Sequence, residues 1–313
     1  MKESQSGVDN ARWVLPLGSA SSEGWQVGVD DTVEGWQHTS LAVTSLGAGE
    51  ERSLTADEWE HVVVPLNGSV RVRPDGHDDV VLAGRAHVFA GPTDVVHLSR
   101  DVAFTVVAEG GPARVAVCGA KARTRHTPAV TVVPAAQVPV ELRGAGAASR
   151  EVRNFGVPGV LDADAIIACE VVTPAGNWSS YPPHKHDERR PGVETELEEI
   201  YYFEVRPVEG APEVADPVGY QRVYGTEERP IDVLAEVRTG DVVLVPHGWH
   251  GPSMAPPAAH LYYLNVMAGP GPERAWMICD DPAHTWVRDT WATQAVDPRL
   301  QFGDNRRSET THE

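Results

Sequence analysis

Apolar residues along this chain fall into short runs broken by turn-forming residues, not into the three-to-four spacing of amphipathic helices. In the first half, Val62–Pro65, Ser69–Arg73, Asp79–Leu82, His87–Ala90, Val95–Leu98, Ala103–Ala108 and Ala113–Cys118 read as strands. Between them stand Leu66-Asn67-Gly68, Pro74-Asp75-Gly76, Gly84 and Gly91-Pro92, residue types that favour turns. Val62 to Val70 reads as a strand, an Asn-Gly turn and a returning strand. From Lys121 to Arg150 the pattern lapses into Ala, Pro, Arg and Gly, as in a connector. Strands resume at Ala165–Thr173, Glu199–Val205, Gln221–Tyr224, Asp241–Val245 and His260–Met267. Gly84–Pro92 and Gly240–Gly248 share an outline: a turn Gly, a short apolar strand, then Gly or Pro. That repetition suggests a duplicated β-domain. The expectation is an all-β chain of two sandwich or barrel domains in tandem. An N-terminal domain would span 1–120, a connector 121–150, a C-terminal domain 151–296 and a frayed polar tail 297–313.

Composition narrows the function classes. A chain of 313 residues is long enough for each half to bury its own core. The 29 glycines and 25 prolines suit many turns between short strands. The formal net charge of −19 repels phosphate backbones and offers no basic patch to anionic lipid, which argues against nucleic-acid and membrane partners. Cys118, Cys169 and Cys279 are odd in number and far apart, so a reducing compartment fits better than a disulfide framework. The start MKESQSGVDNARW is polar and reads as no signal peptide. The expected location is the cytoplasm.

The chemistry concentrates in the second half. In Asn177-Trp178-Ser179-Ser180-Tyr181-Pro182-Pro183-His184-Lys185-His186-Asp187 two histidines stand at i and i+2. On extended backbone both point to one face, where both imidazoles can reach one ion. Alone, such a pair is as well explained by exposed polar residues after a Pro-Pro turn. A carboxylate and a third histidine change the balance. Glu199 opens the run Glu199-Ile200-Tyr201-Tyr202-Phe203, and His250 ends Gly240-Asp241-Val242-Val243-Leu244-Val245-Pro246-His247-Gly248-Trp249-His250. Three neutral imidazoles with one carboxylate suit Zn²⁺ first, and also Mn²⁺, Fe²⁺ or Ni²⁺.

This order of HxH, Glu and Gly-Asp-strand-Pro-x-x-x-His resembles the two metal-binding motifs of the cupin superfamily. More closely, NWSSYPPHKHD, LEEIYYFEV, QRVYG, GDVVLVPHGWH and LYYLNVMAGPGPERAW resemble the 5-deoxyglucuronate isomerases of bacterial inositol breakdown. The likeness covers most of residues 165–286 and extends more loosely to EWEHVVVPLNGSV in the first half. It implies two cupin domains in tandem, a bicupin. It also implies one divalent metal held by His184, His186, Glu199 and His250, and a sugar-acid substrate. The reaction implied is conversion of the aldose 5-deoxy-glucuronate to the ketose 5-dehydro-2-deoxy-gluconate. A homo-oligomer is compatible with it. Cupins usually place their Glu a few residues after HxH; here the charged stretch Asp187–Glu198 intervenes, leaving Glu194, Glu196, Glu198 and Glu199 in play. Strand parity favours Glu199, which shares a face with Tyr201 and Phe203.

The remaining candidates follow from what the reaction needs. Arg222 suits bidentate grip of a uronate carboxylate, against the plain alternative of a surface ion pair; Arg150 or Arg153 of the connector region stand behind it. Tyr201, Tyr263 and Asn265 can donate to sugar hydroxyls, although such residues are often simply core. Lys185 lies between the two histidines, so alternation turns it away from the metal; it is kept as a substrate-binding candidate. Glu199, Arg222 and Tyr263 form the expected catalytic set, and the proton acceptor stays open between Glu199, a metal-bound hydroxide and a tyrosine. His61, His77, His87 and His97 form no HxH…Glu set, so no ion is expected in the first half. Two other function classes share the scaffold: a metal-dependent dioxygenase and a non-catalytic sugar-binding cupin.

Overall fold

Three antiparallel sheets organise the chain in the computed structural model, which describes residues 7–22, 24–300 and 302. One eight-stranded sheet belongs to the first half and is built around two long partners, Trp59–Pro74 and Phe104–Lys121. A seven-stranded sheet of the second half centres on Ile167–Thr173, Glu198–Pro207 and Ala259–Ala268. It faces a six-stranded sheet built on Gly219–Tyr224, Asp232–Val237 and Trp249–Met254. The all-β class expected from the apolar pattern is the observed one. Among the described residues no helix is long and apolar enough to cross a membrane.

Parity along the long strand explains why its apolar run does not alternate with polar residues. Val62 and Val64 pack into a cluster shared with Ile200, Tyr202, Leu264 and Val266 of the second half. Val63, between them, packs into a separate cluster with Val70, Val72, Leu82 and Val106. A sheet buried on both faces needs apolar side chains at every position. The shared cluster makes the two halves one hydrophobic body.

Polar side chains fasten the same interface. Glu60, fully buried, accepts from the backbone N–H groups of Asp164, Ala165 and Ile166 at 3.0, 2.6 and 2.7 Å, and lies 3.0 Å from His97. Arg85 of the first half pairs with Glu170 of the second, both buried, and the Tyr262 hydroxyl donates to Glu170 at 2.6 Å. Arg153 donates to Glu151 at 2.8 Å and to the Val88 carbonyl at 2.6 Å. Pairing of this kind offsets the cost of burying these charges.

Several local expectations change. The Asn67-Gly68 turn is a bulged bend inside the continuous strand Trp59–Pro74, with register shifts on either side of Asn67. Gly68 sits at φ 70°, and a Cβ there would come 2.6 Å from the Pro112 carbonyl oxygen, so the bend admits glycine rather than breaking the ladder. Ala103–Ala108 and Ala113–Cys118 likewise join into Phe104–Lys121. Val88–Ala90 is a 3-10 turn, not a strand. The stretch 121–150 supplies Val130–Val133 to the first half's sheet and Val140–Arg143 to the second half's. Residues 14–15 pair not with the first half but with Val243 and Val242. Of the polar tail, 301 and 303–313 lie outside the described residues. Asp297 is docked through bonds with Ser149 and Asn177, and Phe302 through a bond to Glu151.

Candidate metal centre

The second domain brings three short segments to one point inside its sandwich. His184–Lys185 pairs with Trp249–Met254, placing His184 opposite His250. Glu198–Pro207 runs along the facing sheet, with Glu199 opposite Val245 and Met267. Ligand atoms of His186, Glu199 and His250 lie within 4.8 Å of one another, and all three residues are buried. Glu199 Oε2 stands 3.1 Å from His186 Nε2 and 3.1 Å from His250 Nε2. The His184 ring packs edge-on against His250 at 4.5 Å and stands 6.3 Å from His186; it borders the triad without belonging to its tight group.

Each imidazole is oriented from behind. Nδ1 of His184, His186 and His250 faces the carbonyls of Pro182, Leu197 and Gly248 at 3.4, 3.2 and 3.1 Å. A proton on Nδ1 satisfies each carbonyl and leaves Nε2 as a lone pair, the tautomer a metal ligand requires. Nε2 of His250 is buried and makes no hydrogen bond, an orphaned polar atom that a cation would satisfy. Burial pushes the Glu199 carboxyl up, but the adjacent His186 and His250 rings outweigh this and hold it at about 2. Burial, then His250 and His186, drive His184 well below the ordinary histidine range, so it is neutral. Nitrogen and carboxylate donors with one unsatisfied nitrogen fit a divalent transition ion.

Parity separates the two adjacent glutamates. Glu199 faces the histidines. Glu198 faces the first domain, where its oxygens accept from the N–H groups of Gln37, His38 and Thr39 at 3.1, 2.7 and 2.8 Å. Glu194 is taken up by Lys185 at 2.8 Å and by Arg190.

The cavity beside the histidines is lined by His184, Glu199, Tyr201, Tyr263, Asn265, Ser180, Arg143, Arg150 and Trp276, among others. Hydroxyls of Tyr201 and Tyr263 meet at Ser180 Oγ, 3.2 and 3.0 Å away, with ring centroids 5.0 Å apart. Burial raises both phenols, which therefore stay protonated and act as donors. Asn265 donates to the Ile200 carbonyl at 3.3 Å. Ser180 adopts φ 46°, a conformation that β-carbon-bearing residues seldom take.

Two expected substrate contacts are elsewhere. Strand Gly219–Tyr224 buries Gly219, Gln221 and Val223, which turns Arg222 to the opposite side. There the Arg222 guanidinium pairs with Asp232 and donates to the carbonyls of Val223 and Val233 at 2.9 and 2.8 Å. Lys185 points away from the imidazoles into an acidic pocket, 2.5 Å from Asp187 and 2.8 Å from Glu194. Ser180, Arg143 and Trp276 escaped sequence reasoning. Ser180 lies in the same motif as His184 and His186 but carries no metal-ligating group, while Arg143 and Trp276 come from distant segments that no local spacing links to the histidines.

Comparison with known proteins gives the same picture. A family model described as the KduI/IolB family matches residues 14–287. A 5-deoxy-glucuronate isomerase of Geobacillus kaustophilus is 38% identical over 281 residues, covering 90% of this chain and 96% of that protein. One of Listeria monocytogenes is 40% identical over 235 residues, 74% of this chain and 81% of that one. The crystal structure of an IolB-like protein from Salmonella typhimurium superposes with a TM-score of 0.78 at 32% identity, covering 88% of this chain and 98% of that chain. The oxalate decarboxylase of Lactobacillus farciminis superposes at 0.58 with 11% identity over 86% of this chain and 88% of its own. At that identity the likeness is one of fold, and it agrees with two cupin-type domains in tandem.

Proposed function

The chain belongs to the KduI/IolB family, and from that premise we propose that it is a 5-deoxy-glucuronate isomerase of inositol breakdown, converting the aldose to 5-dehydro-2-deoxy-gluconate. The observation that carries this reading is a cluster of His186, Glu199 and His250, bordered by neutral His184, opening on a cavity with two protonated phenols. We assign one divalent ion per chain, Zn²⁺ first, to His186, Glu199 and His250, with His184 as the fourth ligand. Such an ion supplies Lewis acidity toward the carbonyl and the neighbouring hydroxyl of an aldose.

The rest is work for side chains. Isomerisation moves a proton from C2 to C1, turning the C1 carbonyl into a hydroxyl and the C2 hydroxyl into a carbonyl. Glu199 keeps a second carboxylate oxygen beside the one that faces the histidines, and it is the group on the cavity wall able to accept the C2 proton and return it to C1. Tyr263 and Tyr201 present hydroxyl donors to the oxygens on which negative charge develops, and Ser180 fixes their direction. Asn265 adds a polar group to the same wall.

The test is direct. Purified protein supplied with Zn²⁺, Mn²⁺, Fe²⁺ or Ni²⁺ should convert 5-deoxy-glucuronate to the ketose, followed by proton NMR, without consuming oxygen. No turnover with any of the four metals, or oxygen uptake matching product, would overturn the reading; the second result would point to a dioxygenase.

A further inference from the structure

Among the described residues three arginines are at least nine-tenths buried, and they are not alike. Arg85 is neutralised by Glu170 and Arg153 by Glu151. Arg150, 5% exposed, has no carboxylate within ion-pair distance among the described residues. It lies over the Trp291 ring at 5.7 Å, and its basic neighbours repel it. Arg143 is already occupied by Glu141 at 2.6 Å, and Arg288 by Asp280. The Arg150 guanidinium donates from Nη1 alone, to the carbonyls of Ala148 and Tyr181 at 3.1 and 3.3 Å. The remaining donors of its planar fork have no acceptor among the described residues. Burial and the like charges of Arg143 and Arg288 lower it to about 10, so at neutral pH it stays a cation.

A buried, uncompensated cation is unfavourable to the empty protein and favourable to an anion that reaches it. Arg150 lines the same cavity as Glu199, His184, Tyr201 and Tyr263. The cavity therefore carries carboxylate and imidazole groups together with a free guanidinium. We infer that Arg150 receives the carboxylate of the substrate, and so selects sugar acids over neutral sugars. The fork geometry of a guanidinium matches a carboxylate edge-on, which fixes the substrate's direction as well as its affinity. With the acid end held there, C1 and C2 of a uronate are left for the histidine side. The identity of the acid rests on the isomerase reading; the preference for an anion rests on Arg150 itself.

The test compares 5-deoxy-glucuronate with 5-deoxy-glucose, its neutral counterpart, on the metal-loaded protein. Calorimetric titration gives Kd and steady-state assays give kcat/KM. The wild type should bind the acid roughly 30-fold or more tightly than the neutral sugar, as loss of one side of a buried charge pair predicts. Arg150→Gln should remove that preference while leaving metal content and neutral-sugar binding unchanged. Arg150→Lys should restore only part of it, since an ammonium cannot form the fork. If Arg150→Gln does not fold, Arg150→Lys decides: an intermediate preference supports the assignment, a full one overturns it. A wild type without preference for the acid, or an Arg150→Gln variant that keeps the preference or loses both ligands equally, also overturns it. Preference for the acid that depends on Arg150, without ketose formation, upholds this inference and refutes the isomerase reading.

Discussion

Replacing Glu60 by Gln should loosen the joint between the two domains in a way that depends on pH. Glu60 lies on the first domain's long strand, yet three of its partners are backbone N–H groups of 164–166, just before the strand Ile167–Thr173 of the second domain. Burial alone raises this carboxyl; His97 and the backbone donors outweigh it and bring it to about 2 from an ordinary 4.5. A carboxyl at about 2 when folded and 4.5 when unfolded contributes about 3 kcal/mol at neutral pH. Because the folded value is the lower one, that contribution is complete above pH 4.5 and is lost as pH falls toward 2. Gln has one acceptor oxygen where Glu has two, and its amide hydrogens meet N–H groups. Urea unfolding of wild type and Glu60→Gln, followed by tryptophan fluorescence and far-UV circular dichroism, should therefore differ by about 2–4 kcal/mol at pH 7. The difference should shrink steadily between pH 5 and pH 3. A difference that is absent at pH 7, or that stays constant across this range, refutes the reasoning; the second result would mean that Glu60 acts through packing rather than charge.

Further outcomes follow from the same geometry. Arg222→Ala should leave kcat/KM within about threefold of wild type and change stability by less than about 1 kcal/mol, since it removes only a partly exposed ion pair; a large fall in kcat/KM would return Arg222 to the site. Glu199→Gln and His250→Ala should each lose tightly bound metal, read by elemental analysis after dialysis, with circular dichroism unchanged; a full equivalent retained in both would dissociate this cluster from the metal. Tyr263→Phe should keep its metal and lower kcat by about 100-fold, as expected for removal of one donor to a developing oxyanion; an unchanged kcat would make Tyr263 a packing residue. Arg85→Met should destabilise by about 3–5 kcal/mol because it strands buried Glu170, and adding Glu170→Leu should recover part of that loss; additive losses in urea unfolding would refute the pairing.

What the sequence disclosed and what it hid follow from the range of the interactions. Glu199 was separable from Glu198 because alternation is a property of one strand, and the two side chains do go to opposite sides of theirs. Arg222 is the complementary case. Parity speaks only once a strand's boundaries and partners are known, and the order of motifs along the chain suggests a proximity that the strand's facing does not provide. The Asn67-Gly68 pair carries the same local signal whether it closes a hairpin or bends a long strand; the partner strand Phe104–Lys121 decides, and it lies far away in sequence. Among the buried arginines of the described residues, Arg150 stands apart from Arg85 and Arg153 in lacking a paired carboxylate, a fact about three-dimensional surroundings that no spacing of residues encodes. Fold class was legible because it depends on the length and turn chemistry of many segments, where single errors cancel.

The pairing of Val14 and Leu15 with Val243 and Val242 also sets a timetable for biosynthesis. The arm that completes the second domain's sheet leaves the ribosome ahead of every strand of the first half's sheet. Its partner emerges roughly 230 residues later, a wait of roughly 10–45 s at ordinary elongation rates. Meanwhile the eight-stranded sheet of the first half has all its strands by Val133 and can close without the arm. The nascent chain thus carries a folded domain whose arm must stay unengaged until Val242 and Val243 have emerged. Moving that arm to the C-terminus by circular permutation would let the second domain be finished in the order in which it is made.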